Sequence, residues 1–123
     1  MSRQVGKDLE KIFKLKLKKK ILENFPTCKI INTDPTEDQA IPDLLILYGT
    51  TWAMLEVKRS SKATFRPNQK YYVEFYDTLS FADVIYPENE NEVLERLYAW
   101  FRFVDLFCIK RNNLILEGKR DEQ

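Results

Sequence analysis

Histidine is missing from this chain altogether. That excludes Ser-His-Asp and Cys-His catalytic arrangements, which need an imidazole base, and any metal site built on imidazole. Cysteine is scarce: Cys28 and Cys108 are the only two, and without histidine they cannot close a usual structural zinc site. Both lie in apolar surroundings and no secretory h-region precedes them, so they are expected to be buried and reduced in an intracellular, cytoplasmic protein. No apolar run approaches the roughly 20 residues a membrane-spanning helix needs, so no membrane partner is expected. Catalysis, if there is any, must rest on carboxylates, lysines, tyrosines and a hard metal ion.

What remains is an ordinary globular composition. The 123 residues are 44% hydrophobic and 32% charged, which suits one compact domain with a single core. Net charge is only +1, yet its distribution is uneven. Met1 to Phe25 holds eight basic and three acidic residues, and Lys58 to Lys70 holds five basic and no acidic ones. Glu74 to Glu95 holds seven acidic residues and no basic one. Two basic patches on a near-neutral chain point to a polyanion partner, although a lysine-rich helix face can also simply be solvated.

Periodicity places the elements. Gly6 to Phe25 reads as a helix with an apolar stripe through Leu9, Ile12, Phe13, Leu17, Ile21 and Leu22. Cys28–Ile31 reads as a short strand and the polar stretch "NTDPTEDQAIP" as a loop. Asp43–Tyr48 and Thr51–Lys58 read as a hairpin closed at Gly49-Thr50. A basic loop follows, then a helix over 68–80 with Pro67 at its first position, a strand Ala82–Tyr86, and a helix over 88–107 that is acidic in its first turn. A charged tail occupies 109–123. The order α-β-β-β-α-β-α predicts an α/β (α+β) mixed sheet with helices packed on it.

The hairpin carries the chemistry. Glycine at the first central position suits a type II′ turn, and pairing Tyr48 with Thr51 then sets Asp43 opposite Glu56. Side chains alternate, so Asp43, Glu56 and Lys58 share a face. Carboxylates directly opposite across two strands have Cβ atoms roughly 4.5–5.5 Å apart and repel. Protonation, Lys58 or a divalent cation relieves that repulsion. Mg²⁺ prefers oxygen ligands and is commonly held by one or two carboxylates with waters. The bland alternative is a set of strand-end charges in water, with Glu56 paired to Lys58.

"IPD" at 41–43 with "LEVK" at 55–58 resembles the PD-(D/E)XK nuclease superfamily, whose restriction-endonuclease-like core is an αβββαβ unit. "FRPNQKYY" at 65–72 is similar to the segment that follows this motif in the VRR-NUC and Holliday-junction-resolvase-like branches. "GKDLEKIF" at 6–13 is similar to the opening helix of RecU-type resolvases. The resemblance covers roughly residues 5–97. It implies Asp43 and Glu56 as metal ligands, Lys58 as the group that orients water and stabilises charge, Gln69 as a supporting residue, and Glu10 as a further ligand, with Glu23 the alternative on the same helix. It implies Mg²⁺, with Mn²⁺ able to substitute, and a metal-dependent endonuclease acting on DNA, structure-selective in the manner of a phage-type junction resolvase or a repair nuclease. The chain lacks an evident stalk insertion between its early strands, which leaves four-way-junction specificity open. Arg59, Lys62, Arg66 and Lys70 are the expected phosphate contacts. The helix "VLERLYAWFRFVDLF" is apolar nearly all round, more than one sheet face can cover, so a homodimer is expected. Two other readings stay open: a nuclease-fold protein that binds nucleic acid without cutting it, and a protein-interaction module built on that helix.

Overall fold

The computed structural model describes residues 3–33 and 41–121, with side chains described for 6–33 and 41–107. Residues 34–40 of the expected loop, the side chain of Cys108 and the last two residues lie outside that description. Helix α1 spans Arg3–Asn24, and strand β1 spans Lys29–Asn32. Strands β2 (Leu44–Tyr48) and β3 (Thr51–Val57) form the hairpin. Helix α2 (Gln69–Leu79), strand β4 (Phe81–Ile85) and helix α3 (Glu90–Asp121) complete the chain. The α-β-β-β-α-β-α order is the one the sequence predicts.

The four strands lie in the order β1-β2-β3-β4. β1–β2 and β2–β3 are antiparallel and β3–β4 parallel, with α2 as the crossover that a parallel pair requires. In the hairpin, Leu45 faces Met54, Leu47 faces Trp52 and Tyr48 faces Thr51. Gly49 takes φ 57° while Thr50 stays out of the left-handed region, the pattern of a type II′ turn.

Alternation along β3 divides the molecule into layers. Ala53, Leu55 and Val57 join Leu44 and Ile46 in a core with Phe13, Leu17 and Ile21 of α1 and Val93, Leu97 and Phe101 of α3. Phe25, Tyr48 and Phe101 pack ring to ring with centroids 4.7–5.2 Å apart, in the offset and edge geometries that aromatic pairs favour. The Tyr48 hydroxyl donates to Asp105 at 2.7 Å, tying the hairpin to α3. On the opposite face, Glu56 meets Gln69 and Trp52 meets Tyr76, so α2 covers that side. Cys28 is buried with a free thiol, which burial pushes above its usual pKa.

Two boundaries differ from expectation for physical reasons. Pro67 does not open α2: Arg66-Pro67-Asn68-Gln69 is a β-turn closed by the Gln69 N–H to the Arg66 carbonyl at 3.1 Å. Asn68, at φ 68° and ψ −1°, holds the left-handed position of a type II turn, where proline is favoured one residue earlier. Helix α3 does not end near Cys108 but runs to Asp121, because 109–121 contains no proline and is rich in helix-forming Leu, Lys, Arg and Glu. No helix among the described residues is long and apolar enough to cross a membrane.

Candidate active site

The ends of β2 and β3 meet at one edge of the molecule. Asp43 sits just before β2, in the position that continues the ladder to Glu56. Its backbone is anchored to the end of β1: the Thr33 N–H donates to the Asp43 carbonyl at 2.9 Å, and the Thr33 hydroxyl donates to the Pro42 carbonyl at 2.7 Å. Asp43 Oδ2 accepts from the Val57 N–H at 2.9 Å, closing the end of β3.

Glu56, only 2% exposed, points away from the hydrophobic core toward α2. Its Oε1 accepts from Gln69 Nε2 at 3.0 Å, and Lys58 Nζ lies 3.6 Å from the same oxygen. Gln69, itself 2% exposed, accepts through Oε1 from Lys58 Nζ at 3.1 Å and from the Arg66 N–H at 2.7 Å. One amide therefore holds Glu56, Lys58 and the turn that starts α2. No buried side-chain polar atom among the described residues lacks a partner.

Burial, the Asp43 charge and a hydrogen bond with Asp43 push the Glu56 carboxyl up to about 7, against the opposing pull of Lys58 and Arg66. A carboxylate beside another resists ionising, which adds to the effect of burial on Glu56. Glu10 reaches the same region from α1. Burial and the Asp43 charge raise its pKa, and Lys14, Lys58 and Arg59 oppose the rise.

The donor chemistry suits a hard cation: two carboxylates at close quarters carry an excess of negative charge that a proton otherwise neutralises. Among the described residues no group of three or more His, Cys, Asp or Glu side chains is arranged to hold a metal ion. Of the three expected ligands, Asp43 and Glu56 face each other across the hairpin, and the Asp43 charge bears on Glu10 as well. Glu23 lies thirteen residues along α1 from Glu10, exposed, on a flank that lines a cavity of about 540 Å³ with Lys19 and Lys20. It takes no part in the cluster.

The four expected phosphate-binding cations have different neighbours. Arg66 borders the cluster through its turn, and Lys70 stands over the Phe65 ring at 5.6 Å. Arg59 turns toward α1, where an added Cβ on Gly6 would meet its Nη1 at 2.7 Å. The charge of Lys62 bears instead on Glu88, which is held below the usual carboxylate range chiefly by hydrogen bonding to Ser61.

Sequence reasoning missed two neighbours. Lys14 Nζ lies 3.7 Å from Asp43 Oδ1; its place four residues after Glu10 puts both on one helix face and is the signal that finds it. The Phe65 ring lies under Lys58 Nζ at 5.0 Å, and no local pattern announces that contact.

Fold and site together define a mixed α/β domain with a buried carboxylate–lysine–glutamine cluster at the end of its central hairpin. Comparison with protein-family models, curated proteins and solved structures finds no match to this chain.

Proposed function

We propose that the protein is a metal-dependent DNA endonuclease acting on branched or otherwise structured DNA. The observation that carries the reading is the buried Glu56 carboxyl group, bonded to Gln69, flanked by Lys58 and subject to the charge of Asp43. A cluster of buried charge that the hydrophobic core does not use is costly to stability and points to chemistry. Asp43 and Glu56 would hold Mg²⁺ or Mn²⁺, and a bound divalent ion supplies Lewis-acid activation of water and neutralisation of phosphate charge. Gln69 fixes the Lys58 ammonium beside the carboxylates, and Lys58 places positive charge where a phosphodiester gains negative charge during hydrolysis. Glu10 and Lys14 shape the field from α1. Arg66 and Lys70 flank the cluster on the α2 side and would grip the backbone without reading bases.

The test is cleavage of linear, flapped and four-way DNA with Mg²⁺ or with EDTA. Wild type should cut in Mg²⁺ only, and Asp43→Ala and Lys58→Ala should each lower the rate by at least about a hundredfold while DNA binding persists. Cutting that survives both substitutions sinks the assignment.

A second reading, that the chain acts through protein contacts, is favoured by α3. Phe103, Leu106 and Phe107 are 53%, 62% and 59% exposed. We propose that this stripe joins two copies of the chain, which is compatible with the nuclease reading.

A further inference from the structure

We propose that a lysine stripe on α1 is the track for a DNA phosphate backbone running away from the carboxylate cluster, an inference that rests on the nuclease reading above. Lys7, Lys11, Lys14 and Lys18 recur at intervals of four, three and four residues, which sets them on one flank of the helix. That flank adjoins the buried stripe of Phe13, Leu17 and Ile21. The 3.7 Å ion pair between Lys14 and Asp43 fixes its orientation, so the stripe borders the cluster.

Among the described residues, an ion-pair partner is found for only one of the four lysines, Lys14. Like charges three and four residues apart destabilise a helix, a cost that, among the described residues, an ion pair offsets only at Lys14. The other basic flank of α1 differs. There Lys16, Lys19 and Lys20 share their surface with Glu23 and Glu90, and Lys20 pairs with Glu90 at 2.6 Å. The two flanks thus meet different carboxylates, Glu23 and Glu90 on one and Asp43 on the other.

A row of lysines along a straight helix suits a partner with evenly spaced negative charge. Lys7 to Lys18 spans roughly 16 Å at a rise of about 1.5 Å per residue. That covers about five phosphates of one duplex strand at roughly 3.4 Å each. Lysine meets phosphate as a point charge and demands no particular base. The stripe therefore positions an arm of duplex beside the site where its backbone is to be cut.

The experiment compares two charge-matched variants of the full chain, Lys11→Gln/Lys18→Gln on the stripe and Lys16→Gln/Lys19→Gln on the other flank. Glutamine and lysine have similar helix propensity, and circular dichroism checks that both variants keep wild-type helicity. Affinity for a labelled DNA duplex is measured in EDTA across a salt series. The stripe variant should bind about tenfold or more weakly and reduce the slope of log affinity against log salt by about 2. The other variant should stay within about twofold of wild type. Equal effects of the two variants, no effect of the stripe variant, or no duplex binding by wild type overturns the proposal. Cleavage is read separately: wild type that cuts while the stripe variant keeps its salt slope refutes the track alone, whereas wild type that never cuts refutes the nuclease reading.

Discussion

Glu56 sits on a strand whose other central residues are apolar, and an ionised carboxylate at 2% exposure is costly to desolvate. The chain limits that cost by the raised pKa of the carboxyl group, by the Gln69 amide and by Lys58. The consequence is a pH dependence of definite sign. The folded-state pKa, about 7, stands above the ordinary value of 4.5, so between those values the native protein holds a proton that the unfolded chain has released. Stability of the metal-free protein should therefore fall as pH rises from about 4.5 to 7 and level off beyond, by a total on the order of 3 kcal/mol. Urea midpoints at pH 5 and pH 8 in EDTA measure it, and Glu56→Gln should flatten the difference. Added Mg²⁺ at pH 8 should raise the wild-type midpoint, because a ligand bound to the native state alone stabilises it, and should do so less in Glu56→Gln. A wild-type protein that is more stable at pH 8 than at pH 5 would contradict the raised pKa of Glu56.

At the scale of elements, Gln69 joins the start of α2 to the end of β3. It is the first residue of the helix and the fourth of a type II turn, and its amide serves Glu56, Lys58 and the Arg66 N–H together. Gln69→Leu keeps much of the volume but leaves all three without that partner. It should destabilise the fold by about 2–4 kcal/mol, whereas Lys70→Gln, next to it and exposed, should cost less than about 0.5 kcal/mol; thermal melts of the two variants compare them. Much of this arrangement is legible in the chain. The β2–β3 register follows from one turn glycine and the two-residue alternation of a strand, and once Leu45 faces Met54 the positions of Asp43 and Glu56 follow. Contacts made across elements are less legible. Lys14 reaches Asp43 from a helix on the other side of the sheet, and Phe65 lies under Lys58 from a loop, so neither is fixed by local spacing. Pro67 misleads because a proline before a helix serves a type II turn as well as a first helical turn, and only the left-handed Asn68 separates the two.

For the whole molecule, the exposed aromatic row of α3 is the feature a single copy leaves uncovered. The helix has 32 residues, yet among those with described side chains its last buried position is Val104. Trp100, Phe103 and Phe107 form a continuous aromatic row, with centroids 6.0 and 5.2 Å apart, and the latter two are mostly exposed. Helical stability comes chiefly from packing an apolar face, so an apolar row left exposed favours a partner. A second α3 lying against the first would cover both rows at once, and a two-fold contact needs only one self-complementary surface. Such a dimer would also carry two carboxylate clusters, as paired cuts in branched DNA require. Sedimentation equilibrium should find wild type dimeric at micromolar concentration. Phe103→Ser/Phe107→Ser should shift it to monomer by weakening association at least about a hundredfold, the size expected when aromatic anchors leave an interface. Because both rings lie outside the monomer core, the variant should keep its circular dichroism and its cutting of linear DNA, while cutting both strands of a four-way junction in one encounter should be lost. A monomeric wild type, or a variant that still dimerises, would leave the aromatic row without this role.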